Sequence, residues 1–263
     1  MSTVLNPLLH FHNNQLDIVL SVFADVRLLG FYLQGNKDIF YGNVNYIYQK
    51  QLEEADIIIV NKIDLLSAEQ LALAKQLIEK EYRGKTILYQ NSLSRESIGK
   101  WVDLVLNDYR NPNLRPSLQL DYDLYADGEA ELAWLDEEMV IQTNDQNASG
   151  VVIQLVNIIY FKILQQKYPV GHLKFLINDG QKQRKISFSS IAMPELKQEF
   201  PDSKVDRISL LINARVQTNP LLLSDIVSDS IDEVEMSTCC KVIRSAASAF
   251  RPGYPRPTHR MQH

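Results

Sequence analysis

Cysteine is scarce in this chain: there are two, Cys239 and Cys240, side by side. Adjacent thiols cannot easily bridge each other, so a disulfide framework is excluded. Glycine and proline number 10 each, which excludes a collagenous or low-complexity chain. A basic excess is missing too, since 27 Lys and Arg stand against 32 Asp and Glu for a net charge of −5. General nucleic-acid binding relies on such an excess to displace counterions from phosphates, so no nucleic-acid partner is expected. Apolar runs such as Ile57–Val60 and Val151–Val156 are short. A bilayer span needs ~20 residues, so no membrane partner is expected. Met1-Ser-Thr-Val-Leu carries no basic segment of the kind that opens a secretory signal. Together these absences imply a soluble protein of a reducing compartment, the cytoplasm.

What is present is globular. The 263 residues are 45% hydrophobic and 22% charged, enough for one large domain or two ordinary ones. Asp17–Ala24 is a short apolar run that reads as a buried strand ending at Asp25, and a polar loop follows through Gly35 and Gly42. Val44–Ala55 has helical spacing and Asp56–Val60 is a β-branched run. Ser67-Ala-Glu-Gln70 is a capping box that opens a helix, which Arg83-Gly84 stops. Thr86–Tyr89 is a further strand, with a helix from about Ser97 to Asn107. Strand alternating with helix predicts α/β architecture with a parallel, helix-covered sheet. Asn111-Pro-Asn-Leu-Arg-Pro116 marks a boundary.

Beyond it the pattern is α+β. Strands are expected at Glu131–Ile141, His172–Ile177, Lys185–Ser189 and Arg207–Val216, the middle two joined by a hairpin across Asn178-Asp-Gly180. Helices are expected over Gly150–Lys167 and from Leu222 to about Glu235. The residues from Cys239 onward contain Lys241, Arg244, Arg251, Arg256 and Arg260 with no acid, and Pro252, Pro255 and Pro257. The expected division is therefore 1–112, 113–238 and an extended basic tail over 239–263.

One stretch carries chemistry. Ala55-Asp-Ile-Ile-Ile-Val-Asn-Lys-Ile-Asp64 places Asn61-Lys62-x-Asp64 directly after a buried strand. In that setting an Asp carboxylate accepts from both N1–H and the exocyclic amine of guanine, a paired donor that adenine lacks. The Lys stem lies along the base plane, and Asn ties neighbouring loops together. The alternative is a polar strand-to-helix turn in which Asp64 only helps start a helix. After the next strand, Asn91-Ser92-Leu93-Ser94 supplies small hydroxyl residues where guanine O6 is received in GTPases, although Ser94 serves equally as a helix N-cap.

The stretch resembles the CobW-like family of P-loop GTPases and metallochaperones. Tyr48–Gln51 running into Glu54–Leu65 is similar to that family's Q-x-x-x-A-D-x-I-x-x-N-K-x-D-L sequence. Ser2–Pro7, Ser21–Asp25, Asp127–Leu135 and Phe250–Arg260 resemble further family segments. The resemblance implies the C-terminal part of a P-loop GTPase-type sheet followed by a smaller α+β CobW C-terminal-like domain. It implies GTP or GDP as ligand, read by Asn61, Lys62 and Asp64 with Ser92 in support. Mg²⁺ and a transition metal belong only to a complete family member. The phosphate-binding G-x-x-x-x-G-K-[ST] run is absent, because Gly84-Lys85-Thr86 has Glu79 where the first glycine belongs. The family's C-x-C-C metal motif is absent too. Met1 is expected to begin after both, so the chain alone is expected to bind guanine nucleotides weakly without hydrolysing GTP.

Lesser candidates each have an ordinary alternative. His10 and His12 would face one way on a strand and bind metal, or stand on the surface. Asp25 would approach a Mg²⁺-bound water or cap a loop. Cys239 and Cys240 would hold a soft metal with His259, although adjacent thiols chelate poorly. Glu129, Glu131 and Trp134 resemble a family signature with no role assigned. The expected partners are a guanine nucleotide and either a client metalloprotein or a complementary P-loop chain. The competing reading is a non-enzymatic truncated or split product that acts as a partner-binding module.

Overall fold

The computed structural model describes residues 5–12, 15–108, 121–189 and 204–253. The Asn111–Pro116 boundary, His259 and most of Phe250–Arg260 lie outside these residues. The fold is mixed α/β in two compact units. One is drawn from residues up to Asp38 and from Asn45–Ala126, the other from Ile39–Val44 and Asp127–Gly253.

In the first unit β1 (Ser21–Asp25), β2 (Ile57–Asn61) and β3 (Thr86–Gln90) form a parallel sheet in that order. Ile57, Ile58, Ile59 and Val60 have no exposed surface, as befits a central strand covered on both faces. Each such side chain contributes roughly 1.5–3 kcal/mol as an upper estimate. α1 (Leu5–His12) precedes the sheet. It is a helix, so His10 and His12 fall on opposite sides rather than facing one way as a strand would have them.

α2 (Val26–Leu33) and α3 (Val44–Glu54) connect β1 to β2, and α4 (Ala68–Glu81) connects β2 to β3. The capping box forms as expected, with Gln70 N–H donating to Ser67 Oγ and Ser67 N–H to Gln70 Oε1. α5 (Arg95–Asp103), capped by Ser94, runs on as a π-helical turn over Leu104–Asp108. The pattern did not announce α2. Asp25 caps it by accepting Arg27 N–H, and Val26, Leu28, Leu29 and Tyr32 are buried.

Apart from Ile39–Val44, the second unit starts at the end of α6 (Tyr122–Ala130). It then builds a wholly antiparallel sheet from β4 (Ala133–Thr143), β5 (Val170–Asn178), β6 (Gln183–Phe188), β7 (Arg207–Val216) and β8 (Cys240–Phe250), in the order β6-β5-β7-β4-β8. α7 (Ala148–Gln165) and α8 (Pro220–Ser237) bury their apolar faces against the row Leu135, Met139, Ile141, Ile208, Leu210 and Ile212. By length and composition α7 could cross a bilayer, but half of it is buried in this core.

The expected tail is a correction. Residues 240–250 form β8, paired along its length with β4 from Thr143↔Cys240 to Trp134↔Phe250. The basic residues Lys241 and Arg244 therefore belong to a sheet, not to a solvated extension.

Candidate functional site

The C-terminal ends of the parallel strands meet in register, Asp25 beside Asn61 and Asn61 beside Gln90. This alignment gathers the polar residues that follow each apolar run. β2 ends at Asn61, and Lys62 turns the chain with φ 66° and ψ 35°. A left-handed backbone costs a non-glycine residue roughly 1–2 kcal/mol. The turn carries Lys62 back over the sheet edge, where its Nζ donates to Asp25 Oδ2 at 2.9 Å. Ile63–Leu65 then makes a single 3₁₀ turn before the Ser67 cap of α4.

Asn61 joins two loops. Its Oδ1 accepts the Ser92 N–H at 3.0 Å and the Ser92 Oγ–H at 2.9 Å. Gln90 Nε2 donates to the same hydroxyl at 3.0 Å, and Asn91 N–H to Ser97 Oγ at 3.0 Å. Asn61 and Ser92 are thus brought together, with Asn61 tying neighbouring loops. The Ser92 N–H is consumed by that contact, so Ser92 positions Asn61 rather than offering its amide outward. The Leu93 N–H is likewise taken by Asn91 Oδ1 at 2.9 Å. Asp64 stands apart on the 3₁₀ turn. It is exposed, and among the described residues no side chain bonds to it, so both oxygens are free to accept.

Asp25 is the electrostatic centre. Arg27 donates to it from Nε at 3.1 Å and Nη2 at 2.8 Å, a bidentate fork, and Lys62 adds a third side-chain bond. Burial pushes the Asp25 carboxyl up, but the bonds and charges of Arg27 and Lys62 outweigh it and hold the group at about 2. Asp25 is therefore charged at neutral pH, a cap for α2 and an anchor for Lys62. Arg27 was missed in the sequence. Its signal, a cation two residues beyond an N-cap aspartate, reads as nothing more than a helix start.

Gly84-Lys85-Thr86 has a structural role. Lys85 Nζ donates to the carbonyls of Glu53 at 2.5 Å and Ala55 at 2.8 Å, closing the C-terminal end of α3. Burial lowers the pKa of this amine. Gly84 sits at φ +84° in the turn before it.

In the second unit the signature residues separate. Glu131 accepts from Asn43 N–H at 3.3 Å and Gln217 Nε2 at 2.6 Å. Gly42 stands beside it at φ +55°, where an added Cβ would lie 2.8 Å from Glu131 Oε1 and displace that carboxylate. Trp134 instead lies under the Arg215 guanidinium, 3.2 Å from the ring centroid.

On the sheet face away from the helices, Asn213 Nδ2 donates to Asp136 Oδ1, which leaves Asn213 Oδ1 to receive His172 Nε2–H at 2.5 Å. Burial, then Lys174, lowers the His172 pKa to about 4, so the ring is neutral near pH 7. Among the described residues no three His, Cys, Asp or Glu side chains gather as metal ligands.

No family model, curated protein or solved structure matches the chain.

Proposed function

We propose that this chain binds the base of a guanine nucleotide through Asn61, Lys62 and Asp64, as a relative of CobW-like GTP-dependent metal chaperones with a P-loop GTPase-type sheet. The observation that carries the reading is the arrangement at the end of β2. An unpaired, exposed Asp64 carboxylate follows a strand-end Asn61 that holds the Ser92 loop. A guanine edge offers N1–H and an exocyclic amine to such a carboxylate. Lys62 would lay its stem beneath the base. Arg27 keeps Asp25 compensated if the lysine amine leaves it. The sequence holds no G-x-x-x-x-G-K-[ST] run, and Lys85 is committed to helix carbonyls, so no residue is assigned to phosphate transfer. The nucleotide is read here by its base alone, which makes affinity weak.

A thermal-shift series with GDP, XDP and ADP at millimolar concentration tests this. GDP is expected to stabilise the protein and ADP to leave it unchanged, while Asp64→Asn moves the preference towards XDP. An absence of any shift, or equal shifts with GDP and ADP, overturns the reading.

A further inference from the structure

We propose that Asp25 is a positioning residue of the base site, holding the Lys62 side chain so that its stem is already in place beneath a guanine base. This rests on the reading of Asn61, Lys62 and Asp64 given above. β2 is the central strand of the parallel sheet, with β1 on one side and β3 on the other. The two residues at its end reach in opposite directions. Asn61 Oδ1 accepts the Ser92 N–H and hydroxyl from the loop after β3. Lys62 Nζ donates to Asp25 Oδ2 at the end of β1, 2.9 Å away. Asp64, two residues further on, is exposed and bonded to neither. Asn61 and Lys62 thus tie the three strand ends together, and Asp64 is left to meet a ligand.

Lys62 is fixed at both ends. Its backbone holds φ 66° and ψ 35°, a left-handed conformation that lysine seldom adopts. Its amine is bonded to Asp25, so the stem between is limited to the few conformers that satisfy both ends. A lysine with a free tip samples many rotamers, and ordering them opposes binding. The Lys62 side chain is 38% exposed, so packing alone does not order it; the ion pair does.

The anchor is itself held independently of the lysine. Arg27 bonds Asp25 three times, from its backbone N–H to Oδ1 at 3.0 Å, from Nε to Oδ1 at 3.1 Å and from Nη2 to Oδ2 at 2.8 Å. These bonds fix the plane of the carboxylate, so Oδ2 stands in one place for the lysine amine. The Asp25 side chain is 13% exposed, which limits competition from water and salt. Arg27 lies in the first turn of α2, whose start Asp25 caps, so the anchor is seated on a helix rather than on a free loop.

Chemical-shift titrations of the full chain with GDP and with ADP test the proposal by their dissociation constants. The parent is expected to prefer GDP. Asp25→Asn keeps a good helix cap but removes the charge that holds the amine, and is expected to weaken GDP binding about tenfold. Lys62→Met keeps an unbranched stem without an amine; in that background Asp25→Asn is expected to change GDP affinity by less than about twofold. Lys85→Met serves as the stability control. It removes two bonds to the Glu53 and Ala55 carbonyls at the opposite end of the strands, and is expected to bind GDP as the parent does. Unchanged or tighter GDP binding by Asp25→Asn, in a chain that still prefers GDP to ADP, overturns the proposal and leaves the base reading standing. An equal loss in the Lys62→Met background, or a matching loss in Lys85→Met, also overturns it. A parent that shows no preference for GDP overturns the base reading and this proposal with it.

Discussion

Glu137 sits in the middle of β4 in the same row as Leu135, Met139 and Ile141, facing the helices, with a relative exposure of 1%. Arg244 Nε reaches its Oε1 at 2.5 Å, while Oε2 is buried with no hydrogen-bond partner among the described residues. Arg244→Met strips the carboxylate of its compensation. Breaking such a pair from one side typically costs 3–5 kcal/mol. The Arg244 side chain is 38% exposed, so water can partly replace it, and the expected loss is at the low end, about 3 kcal/mol.

The reverse change is cheap. Glu137→Met frees an arginine that can turn to solvent, at an expected cost of about 1 kcal/mol or less, and the double variant is expected within about 1 kcal/mol of the parent. Urea unfolding followed by tryptophan fluorescence reads this. The sequence has two tryptophans, so Trp101→Phe leaves Trp134 on β4 as the reporter of the second unit. Equal costs for the two single changes, or less than about 1 kcal/mol for Arg244→Met, would refute the argument that the carboxylate is the expensive partner.

Other expectations follow the same logic. Asp25 is held at about 2 against an ordinary 3.8, so its ionised form stabilises the fold above the higher value, and that contribution fades as pH falls towards the lower. Asp25→Asn should cost about 2 kcal/mol at pH 6 but only about 1 kcal/mol at pH 3; a constant cost across that range contradicts the linkage. Asn61→Ala should cost about 2 kcal/mol by unpairing the Ser92 amide and hydroxyl, and hydrogen exchange should speed at Ser92 more than at Ile59. Ser67→Ala should lose about 1 kcal/mol with its cap, visible as a lower urea midpoint, while leaving any GDP response intact.

The sequence made some of this legible and concealed the rest for physical reasons. β2 and the Ser67–Gln70 box were readable because continuous apolar burial and capping are local signals. β7 was readable because Ile208, Leu210 and Ile212 alternate with polar neighbours. α2 was hidden. Val26–Leu33 is short, has Gly30 inside it, and draws its stability from the cap and burial that tertiary contact supplies. β8 was misread because basic residues and prolines averaged over the final stretch masked a strand whose partner lies about a hundred residues earlier. The Asn61–Ser92 contact was anticipated in kind, but the capture of the Ser92 amide, and the Arg27 fork on Asp25, depend on register across strands that no local pattern encodes.

The short strap Ile39–Val44 has a consequence for how this chain can be divided. It belongs to the second unit, although residues on both sides of it belong to the first. Its backbone at Tyr41 donates to Gln217 Oε1 and accepts from Gln217 Nε2, each at 2.8 Å, and Asn43 donates to Glu131. Cutting the gene after Ala126 would strand six residues on the wrong side and leave Gln217 and Glu131 without those partners. The two units are interleaved in the gene, so neither recombination nor truncation at one point can exchange them as independent modules.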